Sequence, residues 1–344
     1  DMARARFALG QLDEARESLL ELREERPPDA ARQVIDEYLQ AIEQRQSGTE
    51  LSAYAELGLG HDSNVANATA RESVFVPVLG TSVSLSGSST QRADAFGALR
   101  VGARWDQEIA RGWSSSIGAD IRARLYRKRV EFDEVDPQLH GTLQYRSGFN
   151  TVAVNARHEQ MDLDYEQYRK VLSVGVTWIR DVDTSLQLVG FAQHSRVRYT
   201  SDANSSSDSN LFLFGVGGVW QPGSRRLTAL SGSVYGGRDN DTKARIDGDG
   251  ALVGLRLGLN HRISADLEGS VVGGAQLTHY DIQNGLFQRK RNDRFAELQG
   301  VLRWQFEPLW SLSPQLKLTR NWSNIDINSY QRLEAAVFVR RDFR

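Results

Sequence analysis

Residues 117–125 read IGADIRARL. Ile117, Ala119, Ile121, Ala123 and Leu125 alternate there with Gly118, Asp120, Arg122 and Arg124. Successive side chains of a strand point to opposite faces, so this stretch predicts a strand with one apolar face and one charged face. Residues 251–260 repeat the pattern. Ala251, Val253, Leu255, Leu257 and Leu259 oppose Leu252, Gly254, Arg256, Gly258 and Asn260. From Leu51 onward the period of two continues to the end of the chain. It predicts strands near 51–60, 94–106, 113–127, 134–146, 150–163, 165–180, 184–199, 208–221, 226–239, 247–262, 266–280, 293–307, 311–322 and 328–343. Several run well past the roughly 5–6 residues usual in soluble sheets. Long two-faced strands at regular spacing belong either to a large soluble barrel or sandwich, or to a transmembrane barrel.

The connections separate these two. Ala110-Arg111-Gly112, Ser147-Gly148-Phe149, Asp181-Val182-Asp183, Pro222-Gly223-Ser224, Ser264-Ala265-Asp266 and Glu307-Pro308-Leu309 are tight. The stretches 61–93, 200–207, 240–246 and 281–292 are longer and polar, while the connections after the third and fifth strands are brief. A transmembrane barrel sorts its connections this way, with short turns on the periplasmic side and longer loops outside. Trp105, Trp113, Trp178, Trp220, Trp304 and Trp310 sit beside the short turns. Tyr126, Tyr165, Tyr168, Tyr199 and Tyr280 sit toward the long loops. Amphipathic rings collect at the two membrane–water interfaces, so these read as two aromatic girdles. The expected fold is therefore an all-β antiparallel transmembrane barrel of about fourteen strands in a Gram-negative outer membrane. The last strand ends on an aromatic, Phe343, followed by Arg344. A terminal aromatic is the usual signal to the barrel assembly machinery, which is an expected partner together with outer-membrane lipid.

Composition excludes other classes. Lys and Arg total 42 against 44 Asp and Glu, a net charge of −2, so no basic field recruits nucleic acid. The absence of cysteine removes disulfides, cysteine–zinc sites and thiol catalysis, and suits a chain that crosses an oxidising periplasm. No apolar run approaches the roughly 20 residues of a transmembrane helix. His61-Asp62-Ser63 has the composition of a hydrolytic triad, but consecutive residues do not bring a nucleophile, base and orienting acid together through their side chains. The six histidines lack paired metal-binding spacing. Neither an enzyme nor a metal or cofactor site is expected.

Residues 1–50 differ in kind. They are rich in Ala, Leu, Glu and Arg, strong helix formers, with Leu9, Ala15, Leu19, Leu20 and Leu22 at helical spacing. Phe7-Ala8-Leu9-Gly10, Ala15 and Pro27 resemble one tetratricopeptide repeat. One such unit cannot complete its own core, and the chain opens in the middle of a helical pattern. A longer natural N-terminus is therefore expected. The domain reading is a periplasmic helical segment over 1–50 and a barrel over 51–344.

Two polar tags lie far apart in sequence. Residues 60–68 read GHDSNVANA and residues 320–332 read RNWSNIDINSYQR. A closed barrel of even strand number makes its first and last strands neighbours. Asp62, Ser63 and Asn64 are then expected beside Asn321, Ser323, Asn324, Tyr330 and Arg332 on one rim, at the seam. Asn, Asp and Ser serve turns through bonds to nearby backbone. At a seam they would also stabilise or gate closure, with Asn64 and Asn324 close enough to crosslink as a cysteine pair.

Charge on the lipid side of a barrel wall is costly near the midplane, about 2–4 kcal/mol per Arg or Lys. Asp120, Arg122, Arg124, Arg157, Glu159, Arg256, Glu268, Glu297, Arg303 and Lys317 are therefore expected to line the lumen. Mixed signs suit a plugged lumen, or passage of a large neutral polymer or a folding polypeptide, better than a selective ion pore.

The helical segment, the D-S-N-V-x-N-A run from Asp62 to Ala68 and the N-x-S-N-I-D-x-x-S-Y-x-R run from Asn321 to Arg332 together resemble the surface lipoprotein assembly modulators. The resemblance covers residues 51–344. It implies a fourteen-stranded barrel with a periplasmic repeat domain that assists particular surface lipoproteins or secreted proteins across the outer membrane. Related Ser-Asn signatures occur in exopolysaccharide exporters. An export pore for polysaccharide and a passive porin or structural barrel are the alternative readings. The clustering of Trp at the girdle rather than on polar faces favours a protein substrate.

Overall fold

The computed structural model describes residues 48–201, 206–223 and 227–343. In the N-terminal segment it describes 12–25, 27–28, 31–32, 34–36 and 38–39, with Ala3, Arg6 and Ile42. The Phe7–Gly10 part of the repeat pattern lies outside the described residues, as do Ser224 and Arg344. Helix α1 (Leu12–Glu24) carries Asp13 and Glu14 in its first turn and Arg23 in its last, the order its dipole favours. Its Ala15 and Leu19 are buried with Ala3, Ile35 and Ile42.

The remaining chain forms β1 (Thr49–Asp62), β2 (Ser73–Val76), β3 (Thr81–Ser84), β4 (Asp94–Ala110), β5 (Trp113–Tyr126), β6 (Glu134–Ser147), β7 (Asn150–Leu163) and β8 (Glu166–Asp181). It continues with β9 (Leu186–Tyr199), β10 (Ser209–Trp220), β11 (Thr228–Asp241), β12 (Gly250–Arg262), β13 (Leu267–Asn284), β14 (Arg289–Glu307), β15 (Trp310–Ser323) and β16 (Tyr330–Phe343). All but β2 and β3 join one closed antiparallel barrel of fourteen strands, in which β1 lies between β16 and β4. Strands β2 and β3 pair with each other inside the long loop after β1, a hairpin not foreseen in the polar stretch 61–93. The stretch 281–292 differs from expectation as well. Instead of a loop, it extends β13 and β14, which remain paired through Gln283↔Lys290 and Asn284↔Arg289. Buried Asn284 turns this hairpin by accepting the N–H groups of Leu286 and Phe287 and donating to Asp247.

One ion pair identifies the inner face. Arg124 on β5 meets Glu334 on β16 at 2.7 Å, although β4 and β1 lie between them. Neighbouring strands are about 4.8 Å apart, so these two backbones are separated by roughly 14 Å along the wall. Side chains diverge on the convex side of a wall and converge on the concave side, so Arg124 and Glu334 point inward. Register carries that assignment around the barrel. Even-numbered residues face inward on β1, β4, β5 and β6, as in Glu56↔Arg100, Asp120↔Gln138 and His140↔Arg157. Odd-numbered ones do so from β7 to β11, even on β12 and β13, and odd on β14 and β15. They return to even on β16, in agreement with Glu334↔Asp62.

The outward set is apolar and uncovered. Leu57, Leu59, Ile117, Leu139, Phe214, Val216 and Leu257 are each at least 59% exposed. A soluble protein does not leave a continuous apolar belt in water, whereas a transmembrane barrel presents one to lipid. Trp105, Trp113, Trp178, Trp220 and Trp304 are exposed beside the short turns, while Trp310 is half-buried. Those turns are built tightly. Gly112 adopts φ +80°, and a Cβ there would lie 2.6 Å from the Arg146 carbonyl oxygen, so only glycine fits. In the 182–185 turn, the Asp183 carboxylate accepts the Ser185 N–H and hydroxyl and the Leu186 N–H. These bonds hold its pKa below the usual carboxylate range.

Cysteine scanning reads the faces directly. An Arg122→Cys variant in the membrane should react with a small water-soluble thiol reagent, and an Ile121→Cys variant should not. Reversed labelling would mean a one-residue slip of β5, which exchanges the two faces of a strand.

Candidate functional site at the barrel seam

The first and last strands meet along the ladder from Ala53↔Phe343 to Asp62↔Glu334. Glycine and aromatic residues fit together on its inner face. A Cβ on Gly58 would sit 2.3 Å from the Phe338 ring, and one on Gly60 would sit 2.4 Å from the Phe96 ring. The two glycines thus leave the room that these buried rings fill. Arg100 stacks over Phe338 at 4.0 Å and Arg124 over Phe96 at 4.4 Å. Arg100 also donates to Glu56 at 3.0 Å.

At the long-loop end of the seam lies a fully buried carboxylate, Asp62. Its Oδ1 accepts Arg332 Nε at 3.0 Å and the Asn64 N–H at 2.8 Å. Its Oδ2 accepts the Tyr126 hydroxyl at 3.0 Å and Arg332 Nη2 at 2.5 Å. Arg332 continues to Glu334 at 3.1 Å and to Asn67 Oδ1 at 3.1 Å, and Arg124 closes the cluster on Glu334. Strands β1, β5 and β16 are joined in one network of alternating charge. The backbone supports it. Ser63 N–H donates to the Leu333 carbonyl at 2.9 Å, and the Leu333 N–H donates to Ser63 Oγ at 2.8 Å. Buried Asn64 donates to the carbonyls of Ala68 and Gln331 at 2.8 and 2.9 Å, and accepts the Ala68 N–H.

The two tags are thus divided between tasks. Asp62, Ser63, Asn64 and Arg332 meet across the seam. Asn321, Ser323 and Asn324 serve the β15–β16 hairpin and its other neighbour. Asn321 donates to the Asn328 carbonyl, and Ser323 bonds Ser329 and Ile325. Asn324 donates to the Lys290 carbonyl and accepts the Asn292 N–H, both on β14. Asn64 and Asn324 therefore look toward opposite sides of the hairpin rather than at each other, and the residues directly opposed across the seam are register partners such as Leu57↔Val339. Tyr330 pairs in register with Asn321.

The remaining charged residues lie on the inward face in smaller groups. Asp120 accepts Tyr54 Oη at 2.7 Å and faces His140 at 3.4 Å. Glu297 sits between Arg256 at 3.8 Å and Lys317 at 3.5 Å. Arg303 meets Asp342 at 3.1 Å, Arg157 meets Glu159 at 3.2 Å, and Arg122 is in register with Asp136. Sequence reasoning missed Glu56, Glu334, Phe96 and Phe338, which complete the seam, and expected Tyr126 in an aromatic girdle, whereas it is buried on the inward face and donates to Asp62. The GLG run at 58–60 was the available signal, since alternate positions of one strand face without side chains mark a close neighbour.

A closed fourteen-stranded wall with a lipid-facing apolar belt, an aromatic girdle and a charged interior defines an outer-membrane β-barrel. The surface lipoprotein assembly modifier family model matches residues 52–343, and the chain belongs to that family. Comparison with curated proteins finds none that matches. Among solved structures, the outer membrane channel DcaP of Acinetobacter baumannii is similar at 8% identity. The alignment covers 86% of this chain and 97% of that one, with a TM-score of 0.47. The anion-selective porin from Comamonas acidovorans is 9% identical over 86% of this chain and 99% of its own, with a TM-score of 0.42. OmpT of Vibrio cholerae is 6% identical over 86% and 100%, with a TM-score of 0.46.

Removing Asp62 leaves Arg332 and the Tyr126 hydroxyl without their acceptor. Breaking a buried pair by deleting one partner costs about 3–5 kcal/mol. Asp62→Ala should therefore lower the denaturant midpoint of the folded barrel, followed by its gel mobility before heating. The Asp62→Ala/Arg332→Leu double variant should recover part of the loss. Equal midpoints for wild type and Asp62→Ala would show that the cluster does not hold the seam.

Proposed function

We propose that the barrel is an outer-membrane translocon or assembly factor that helps specific surface lipoproteins or secreted proteins across the outer membrane. Membership of the surface lipoprotein assembly modifier family carries the reading. Three further features support it. The interior carries charges of both signs in paired groups, which suits a polypeptide bearing both signs better than a single small ion. The long-loop end of the seam is locked by a dedicated polar cluster. The described strand residues Thr49 and Phe343 lie at the short-turn end, which in barrels of this kind faces the periplasm. Residues 1–50 then hang in the periplasm, where a helical segment meets the exported chain before the barrel does. The partners are the exported protein, the surrounding lipid and the barrel assembly machinery.

Deletion of the gene, followed by surface labelling of intact cells, separates the protein and polysaccharide readings. Loss of one or a few surface proteins with unchanged surface glycans is expected. Loss of glycan with unchanged surface proteins would replace a protein substrate with a polysaccharide.

Within the protein reading, the seam is the proposed place where a substrate strand pairs transiently, since extended segments add to open sheet edges. Leu57 and Val339 are directly opposite across it. Opposed residues of an antiparallel pair have Cα atoms about 4.5–5.5 Å apart, within reach of a disulfide. The natural absence of cysteine keeps the test clean. A Leu57→Cys/Val339→Cys pair should block surface delivery when oxidised and restore it when reduced. Undiminished delivery with the crosslink formed would confine transport to the lumen.

A further inference from the structure

Two grooves run side by side on the lipid-facing wall of β12 to β16, toward the long-loop end. The larger, about 950 Å³, lies among Leu255, Ala275, Leu277, Arg294, Ala296 and Trp322. The smaller, about 520 Å³, lies among Ala296, Leu298, Leu318, Arg320 and Leu333. By register all of these side chains belong to the outward set. Ala296 is common to both, and its short side chain forms a low floor between taller neighbours. The ridge between the grooves carries Arg320, whose guanidinium stacks on the Trp322 ring at 4.7 Å. Arg294 is the register partner of Trp322, and Ala296 that of Arg320, so the two arginines sit on adjacent strands, offset diagonally by two residues.

Arginine facing lipid calls for an explanation. Both Arg294 and Arg320 are exposed. Among the described residues neither has a carboxylate within ion-pair distance, in contrast to outward-facing Arg238, which meets Asp249 and Asp281. Both lie close to the strand ends: Arg320 is three residues from the end of β15 at Ser323. At about 3.3 Å per residue this is within roughly 10 Å of the rim, the depth of lipid headgroups rather than of the hydrocarbon centre. Arginine matches phosphate oxygens bidentately. Apolar grooves below and unpaired guanidiniums above define an amphiphile with several acyl chains and an anionic head.

We propose that this wall binds a phosphorylated, multiply acylated lipid of the outer leaflet. Its chains lie in the two grooves and its phosphates on Arg294 and Arg320. The neutral acylated-glycerol anchor of a lipoprotein would fill the grooves but leave both guanidiniums without a counter-charge, so the resident bilayer lipid is the better fit. The site would fix the wall next to the seam against the leaflet while leaving the lumen free.

The test uses the full chain, purified in mild detergent and titrated with bisphosphorylated lipid A or with a neutral diacylated lipopeptide. Binding is read by native mass spectrometry and by the temperature at which the folded gel band is lost. Lipid A is expected to bind and to raise that temperature. Arg294→Gln/Arg320→Gln should weaken its binding at least tenfold. Ala296→Leu, which fills the shared floor without touching charge, should weaken it as well. Arg238→Gln should leave it unchanged, and all variants should keep the folded band without lipid. Binding of lipid A by the double arginine variant within twofold of wild type would overturn the proposal. So would equal binding of the neutral lipopeptide.

Discussion

The buried carboxylate of Asp62 is the constraint on which closure of the barrel depends. A carboxylate with no exposed surface is tolerated only when its lone pairs are met, and here they are met by Arg332, Tyr126 and the Asn64 backbone. Those partners come from the last strand, from the strand two places away, and from the loop that follows β1. No local hairpin assembles them. The cluster forms only when the first and last strands are paired in the observed register. A slip of one residue would turn Asp62 outward, into lipid and away from every partner. An apolar seam of equal area has no such penalty for misregistry, because one aliphatic contact replaces another. The ion cluster therefore contributes more to the choice of register than to raw stability, as expected for buried polar groups whose desolvation offsets much of their attraction.

Packing below the cluster follows from the same register. Gly58, Gly60 and Gly102 are inward positions with no side chain, and Phe338, Phe96 and Tyr54 occupy the space over them. Each ring carries an arginine on a face or edge: Arg100 on Phe338, Arg124 on Phe96 and Arg340 on Tyr54. These arginines are in turn paired with Glu56, Glu334 and Asp342. Rings, cations and carboxylates thus form one layer along β16, β1, β4 and β5. The opposite wall repeats the fit of ring over glycine. Phe191 fills the space over Gly215, and Tyr235 fills that over Gly254 and donates to Gln276.

Much of this was legible in the sequence, for a physical reason. A two-residue period, lipid on one side and charge on the other is a local signal, and each strand carries it alone. IGADIRARL and ALVGLRLGLN announce their faces without knowledge of neighbours. The loop after β1 was less legible, because β2 and β3 pair in a short hairpin within a polar stretch and have no membrane to impose a strict alternation. The partners of the seam were illegible for another reason. Glu334 and Arg124 are 210 residues apart, and nothing local in either stretch marks them as a pair. The Ser-Asn tags had the reverse fault. Their likeness suggested a common partner, but Ser and Asn are general-purpose turn residues. Asn64 uses that chemistry across the seam, and Asn324 uses it toward β14.

The seam is not uniform along its length, and this asymmetry bears on how it could work. At the long-loop end it is held by side-chain and backbone bonds together: Asp62 with Arg332, Ser63 with Leu333, and Asn64 with Gln331. Arg71 in the following loop reaches Asp326 in the β15–β16 connection, adding a further tie above the wall. Toward the short turns the ties thin out. Among the described residues the ladder to β16 begins at Ala53, while β1 remains paired with β4 from Thr49 onward. Cross-strand contact there comes from Arg340, which stacks on Tyr54 at 4.0 Å and lies 3.9 Å from Glu56, a distance of weak attraction. Strand separation starts where the fewest bonds must break together. The densest bonding of this seam lies at the long-loop end, so it is the Asp62 cluster there that fixes the register of β1 against β16.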